Sequence, residues 1–304
     1  MLLIKSFKTK IYERFLPCAS KAMLSKERFR KYFTKELFDN HFAQKSLGYV
    51  EFSDHALFVN PRDHMIGYSL MRGQEWQRND LNAAVEVLET SSELKPGGWF
   101  VDVGANIGTQ TIYAMLSGRF CGAIAIEPDP GNRALLYKNI ALNGLEGKVR
   151  VVAAAASNGS GQAMLIQDAR NFGAHSIELG YPLNPASQVV VDTMTLDDIL
   201  AAQGIASGDV GMVVVDVEGH ELSVVKGMTK LIERQVPMVI EVSASRDDQS
   251  FISQLLTLLE QRYTIASCIK AHRGQPSSIS SCELRQVKFS KRHMDVMFHN
   301  ARTG

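Results

Sequence analysis

From Trp99 onward, apolar residues follow two alternating rhythms. Short runs dense in Val, Ile and Ala are separated by longer stretches in which apolar positions return every three or four residues. The first pattern is that of strands buried on both faces, the second that of amphipathic helices. Strands are predicted at Trp99 to Val103, Ala123 to Ile126, Val149 to Ala154, Met212 to Val217 and Met238 to Val242, with helices over 107–117, 130–143, 219–234 and 248–262. Thr264 to Ile269 and Asp295 to His299 add two strands, the last antiparallel. Regular strand–helix alternation predicts an α/β, doubly wound, Rossmann-like sheet covered on both sides.

Three stretches depart from that rhythm. From Tyr49 to Met71, HALFVN is closed by Pro61 and followed by MIGYSLM, which together predict a lead-in hairpin. A helix follows from Asn79 to Thr90, with Leu81, Val85 and Leu88 on one face. Residues 157–193 lack helical periodicity and predict a β insertion over the sheet, after which Thr195 caps the helix LDDILAAQ. Ser277 to Ser281 reads as a loop. The organisation expected is a basic helical extension over 1–48, a lead-in hairpin and helix over 49–96, and the main domain over 97–304.

Charge changes the picture only at the start of the chain. Residues 1–50 carry eleven Lys or Arg against four Asp or Glu, an excess of 11 − 4 = +7 in a chain of net charge +1. Phe29, Tyr32, Phe33, Leu37 and Phe38 lie among these charges at helical spacing. Two or three short helices with a solvated basic face are expected, with peripheral contact to an anionic membrane or an acidic partner as the other use of such a segment. Cys18, Cys121, Cys268 and Cys282 have no metal-ligand spacing. A cytoplasmic protein is expected, since no apolar run approaches the length of a membrane helix.

Candidate chemistry gathers at two strand ends. The segment FVDVGANIG, Phe100 to Gly108, is a strand running into a glycine turn and a helix. In a sheet of this kind, ligands sit where strand order reverses, beyond the carboxyl end of the first strand. Gly104 permits the turn, and Gly108 lets the helix start against the strand. Ala105 and Asn106 break the G-x-G-x-x-G pattern of a pyrophosphate-binding turn. Asp102 precedes the turn, and Glu127 follows about 20 residues later, where a carboxylate can accept both hydroxyls of a ribose. Two acids and no phosphate-binding pattern suit S-adenosylmethionine (SAM), whose sulfonium is cationic. Ser157 is the first polar side chain after the third strand and a candidate beside the adenine.

The second cluster is VVVDVEGHELSVVKGM, which puts Asp216, Glu218, His220 and Glu221 within six residues at the sheet edge. Methyl transfer to a hydroxyl needs an aligned nucleophile and a group to take its proton, and Asp216 or His220 can do this with the other orienting it. The alternatives are a helix start with a structurally satisfied His220, or a metal held by Asp216, Glu218 and His220. No metal is expected. Glu241 and, from the insertion, His175 and Ser176 are candidate acceptor contacts, with exposed loop residues the alternative for the last two.

Together, Asp102 to Gly108, Ile126-Glu127-Pro128 and Asp216 to Gly227 resemble the FkbM-type SAM-dependent methyltransferases, as do FVNPRD and the Gly73 to Trp76 region. The resemblance covers about residues 50–245. It implies O-methylation of a hydroxyl on a sugar, glycan or secondary metabolite. It also implies that Asp102, Gly104, Asn106, Gly108 and Glu127 hold SAM, with Asp216, Glu218 and His220 on the acceptor side. Val224-Val225 stands where that family often has Val-Leu. A nonenzymatic methyltransferase-like adaptor is the rival reading, and a nicotinamide oxidoreductase is disfavoured by the broken glycine pattern. Nucleic acid is not expected as a partner, because basic charge is confined to one end and no stacking motif is present.

Overall fold

A computed structural model of the chain describes residues 47–178, 185–243, 249–272, 275–287 and 293–300. The expected basic helices and Cys18 lie outside them. Among the described residues, no helix is long and apolar enough to cross a membrane.

A short antiparallel hairpin, β1 (Gly48–Glu51) and β2 (Ala56–Val59), leads the described chain. MIGYSLM, expected in that hairpin, is instead helical, as α1 (Ile66–Met71). Asp63 explains the difference. Its carboxylate accepts from the backbone N–H groups of Met65 (3.0 Å) and Gly67 (2.7 Å), satisfying donors that a helix start would leave orphaned. Next comes α2 (Arg78–Thr90), with Leu81, Ala84, Val85 and Leu88 buried.

The main sheet has eight strands. In chain order they are β3 (Trp99–Val103), β4 (Gly122–Ile126), β5 (Val149–Val152), β9 (Val210–Val215), β10 (Met238–Ser243), β11 (Ile265–His272), β12 (Gln275–Glu283) and β13 (His293–His299). Their spatial order is β12-β11-β13-β10-β9-β3-β4-β5. The five strands from β5 to β10 are parallel, while β13, β11 and β12 pair antiparallel beyond them. The chain moves outward from β3 through β4 to β5, then returns to lay β9 on the other side of β3. Strand order therefore reverses between β3 and β9, which opens a crevice at their carboxyl ends.

Alternation along the strands divides the core between two faces. Phe100, Ala123, Ala125, Met212 and Val214 pack on one side with α2, α3 (Thr109–Leu116) and α4 (Pro130–Leu142). Val101, Val103, Ile124, Ile126, Val213 and Val215 pack on the other with α5 (Leu196–Ala202), α6 (Glu221–Lys226), α7 (Thr229–Glu233) and α8 (Gln249–Leu259). The fold is thus a doubly wound α/β sheet, as the sequence pattern predicts.

Two other expectations change. The single helix over 219–234 is divided into α6 and α7 at Gly227, where a Cβ would stand 2.0 Å from the Ser157 carbonyl oxygen. That close approach requires glycine at this position, and glycine is the weakest helix former after proline. Ser277 to Ser281 is strand, within β12, because the backbone ladder with β11 satisfies its polar groups and Ser267 and Ser281 face each other with hydroxyl oxygens 2.6 Å apart. The insertion forms its own sheet from β6 (Ala155–Ala156), β7 (Gly161–Asp168) and β8 (Pro185–Met194), in the order β6-β8-β7. Thr195 then caps α5 by accepting from the N–H of Asp198 at 3.0 Å.

Candidate functional site

The glycine turn after β3 is built by backbone constraints. Gly104 has φ +87, and a Cβ there would lie 1.9 Å from the Asp216 carbonyl oxygen, so the turn can meet the end of β9 only without a side chain. Gly104 and Ala105 both donate their N–H to the carbonyl of Ile126 at 3.0 Å. Ala105 itself is buried in the core. At Gly108, φ is +90 and a Cβ would strike Leu136 at 2.5 Å, which brings α3 close to α4.

Glu127 is fixed at the end of β4 by two backbone donors. Asn106 N–H reaches one carboxyl oxygen and Asp129 N–H the other, each at 2.7 Å. Burial raises its pKa to about 8 against these donors. Asp129 caps α4 by accepting from Asn132 N–H at 2.7 Å, and Pro130 starts the helix. Asn106, at φ 51, and Asn132 both donate side-chain N–H bonds to the Phe172 carbonyl, at 3.2 and 2.9 Å. The insertion loop is tied in this way to both sides of the turn.

Gly104, Asn106, Glu127, Asn132 and Phe172 line an open cleft. Glu127 and Asp216 are among its lining residues, Ala154 to Ala156 with Leu165 and Ile177 give it an apolar wall, and His175 and His220 also line it. Among the described residues lining it, none is Lys or Arg. His175 accepts from the Asp168 N–H at Nδ1 (3.0 Å), and burial lowers its pKa, so the ring is held neutral. Asp102 has a different place. It is buried beneath the turn, its carboxyl takes the Thr111 hydroxyl at 2.5 Å in the first turn of α3, and burial raises its pKa to about 6.

The acidic cluster divides between two groups of partners. Asp216 is hydrogen-bonded to Glu241 on β10, and Asp295 of β13 stands opposite Glu241 in register. Desolvation, with repulsion from Glu218 and Asp295, pushes the pKa of Glu241 to about 8, and desolvation with the charge of Glu241 pushes that of Asp216 well above the usual carboxylate range. The pair therefore retains a proton near neutral pH. Carboxylate oxygens of Asp216, Glu218 and Glu241 lie within 4.8 Å of one another, a donor set that hard cations accept. His220 is directed elsewhere. Its Nε2 lies 2.9 Å from the Ser157 hydroxyl and its Nδ1 2.5 Å from Glu178. Ser157 thus meets His220, and Ser176 donates to the Glu218 carbonyl at 2.8 Å.

A second pocket, smaller than the cleft, lies on the α2 side of the sheet. Gln77, Asp80, Gln110, Glu241 and Asp295 supply its polar lining above Met212, Val214, Val239 and Ile269. Asp216 lines both this cavity and the cleft, and it is the one residue they share. Sequence reasoning missed Asn132, Glu178, Gln77, Asp80, Gln110 and Asp295. Asp295 and Gln77 carry no motif, and only strand pairing and helix packing bring them here.

The methyltransferase FkbM domain profile matches residues 102–265. The chain is 28% identical over 188 residues to the hexuronic acid methyltransferase AglP of Haloferax volcanii, a match that covers 60% of this chain and 71% of that protein. Among solved structures, methyltransferase FkbM from Methylobacillus flagellatus aligns with TM-score 0.43 and 15% identity, over 89% of this chain. The chain spans 59% of that protein's length. M. jannaschii TYW2, in complex with AdoMet, aligns with TM-score 0.39 and 14% identity, covering 84% of this chain and 87% of its own.

Proposed function

Because the chain belongs to the FkbM methyltransferase family, we propose that it is a SAM-dependent O-methyltransferase acting on a hydroxyl of a sugar, glycan or secondary metabolite. The observation that carries this reading is the position of Asp216 as the single residue common to the cleft and the second cavity. A cofactor in one and an acceptor in the other would meet at that side chain.

The cleft suits SAM by the chemistry of its lining. A lining without Lys or Arg among the described residues disfavours a pyrophosphate, and its acidic residues, once ionised, favour a sulfonium. Glu127 keeps lone pairs for ribose hydroxyls after accepting its two backbone bonds. The apolar wall at Ala154 to Ala156 is suited to the face of a base. SAM, when bound, supplies an electrophilic methyl group. Asp102 supports the turn from beneath through Thr111.

On the acceptor side, the Asp216–Glu241 pair is the proposed base. The hydrogen bond between the two raises Asp216 and lowers Glu241, so the shared proton rests on Asp216, and its loss leaves a carboxylate that would take the proton of the acceptor hydroxyl. Glu218 adds negative charge beside the pair and raises its proton affinity. His220, with both ring nitrogens bonded, orients the loop around the base. The AglP similarity supports a carbohydrate acceptor.

Calorimetric titration with SAM, followed by methyl-labelled SAM with fractionated cell extract, tests the proposal. The expected result is SAM binding and an alkali-stable methyl ether on a hydroxylated product. Absence of SAM binding, or label recovered on nitrogen or as an ester, overturns it.

A further inference from the structure

The turn after β9 holds two consecutive residues in the left-handed region, Glu218 at φ 50 and Gly219 at φ 97. The first of these has a side chain and does not adopt that conformation without support from its surroundings. Part of the support is local, since the Glu221 carboxylate accepts the Gly219 N–H at 2.8 Å. The rest comes from the insertion and the strand before it. Ser176 donates its hydroxyl to the Glu218 carbonyl, Glu178 lies 2.5 Å from His220 Nδ1, and Ser157 lies 2.9 Å from His220 Nε2. Ser176 also accepts the Glu178 N–H at 3.1 Å, so the two contacts from the insertion are joined to each other.

We propose that Glu178 is a positioning residue that acts through His220 to hold the Asp216 to Gly219 turn in its working geometry. A carboxylate can only accept from the ring, so Glu178 requires the proton on Nδ1 and leaves Nε2 to accept the Ser157 hydroxyl. That one tautomer satisfies three groups at once. The opposite tautomer sets a bare Nδ1 against the carboxylate, and the two lone pairs repel. The imidazole is only 12% exposed and the carboxylate 28%, which limits competition from water. Because Asp216 precedes the strained pair by two residues and also lines the cleft, loss of the Glu178 contact transmits to both cavities. The assignment gives the β insertion a role in the reaction without contact to reacting atoms. It rests on the cleft being the cofactor site proposed above.

The test joins nitrogen-15 NMR of the His220 ring to SAM calorimetry on the full chain. In the unmutated protein, Nδ1 is expected to be the protonated, pyrrole-type nitrogen and Nε2 the pyridine-type one. Glu178→Ala is expected to mix the two tautomers and weaken SAM binding about tenfold, the loss of roughly one charge-assisted hydrogen bond. Glu178→Gln, whose amide oxygen still accepts from Nδ1–H, should restore the tautomer and most of the affinity. Ser157→Ala should leave the proton on Nδ1. A proton on Nε2 in the unmutated protein, or unchanged tautomer and affinity in Glu178→Ala, overturns the inference. Failure of the unmutated protein to bind SAM overturns the proposed function instead, and the ring tautomer still decides the placement of the proton by Glu178.

Discussion

Replacing Glu127 by Gln should change how stability depends on pH. Buried Glu127 has a pKa raised from 4.5 to about 8, so between these values the folded protein keeps a proton that the unfolded chain has lost. Stability therefore falls as pH rises through this window and is independent of Glu127 below and above it. At about 1.4 kcal/mol per pH unit, this one carboxyl withdraws up to about 5 kcal/mol between pH 4.5 and 8. Glutamine does not titrate, and its contribution is flat. The substitution also has a pH-independent cost. The side chain now meets the Asn106 and Asp129 N–H groups with only one acceptor oxygen. One buried donor is left unpaired, at about 1–3 kcal/mol. Urea unfolding of both proteins at pH 5 and pH 8.5 separates the two effects. Glu127→Gln should be the less stable at pH 5, and the gap should close or reverse at pH 8.5. Slopes contributed by Asp216 and Glu241 cancel in the comparison. Equal pH slopes for the two proteins across this window would refute the account.

Cofactor affinity should rise with pH toward about 8 in the unmutated protein, because ribose hydroxyls donate best to ionised Glu127, and calorimetry at several pH values reads this directly. Gly104→Ala should destabilise the fold by about 3 kcal/mol or more, through the clash with the Asp216 carbonyl and the left-handed φ, and should abolish SAM binding; thermal melts and titration check both. Methyl transfer should increase with pH through about 8 as the Asp216–Glu241 pair gives up its proton. Glu241→Gln should move that inflection to lower pH by removing the neighbouring carboxylate, as seen in a pH–rate profile of S-adenosylhomocysteine formation. Asn132→Ala should free the Phe172 carbonyl from one of its two donors and raise hydrogen exchange across 171–175.

The sheet was legible in the sequence because its strands are apolar on both faces and its helices on one. That distinction depends on burial, which the residue pattern records directly. MIGYSLM was misread because five apolar residues in seven suit a strand as well as a helix, and the decision lay with the Asp63 carboxylate two residues upstream of Met65. The break at Gly227 was hidden for a related reason, since the carbonyl that excludes a side chain there belongs to Ser157, 70 positions earlier. That Gly104, Asn106 and Glu127 come together at one cleft is legible because a turn and a strand end fix them locally. The carboxyl of Asp102 faces Thr111, a choice of rotamer that no spacing encodes, so any part it has in holding a ligand is played through the turn. Glu178 carried no signal at all, for it reaches His220 only through the pairing of the insertion strands.

The two cavities that share Asp216 differ in which parts of the chain build them. Every residue lining the cleft falls between Val103 and His220, inside the segment that matches the family. The second cavity takes Gln77, Asp80, Leu81 and Ala84 from before that segment and Ile269 and Asp295 from after it. Part of the wall on one side of Asp216 thus comes from sequence that the family profile does not cover, whereas the wall on the other side lies wholly within it. Substitutions in α2, β11 and β13 can therefore reshape the second pocket without touching a residue of the cleft, which makes the flanks the natural place to exchange segments between relatives when the proposed acceptor side is probed.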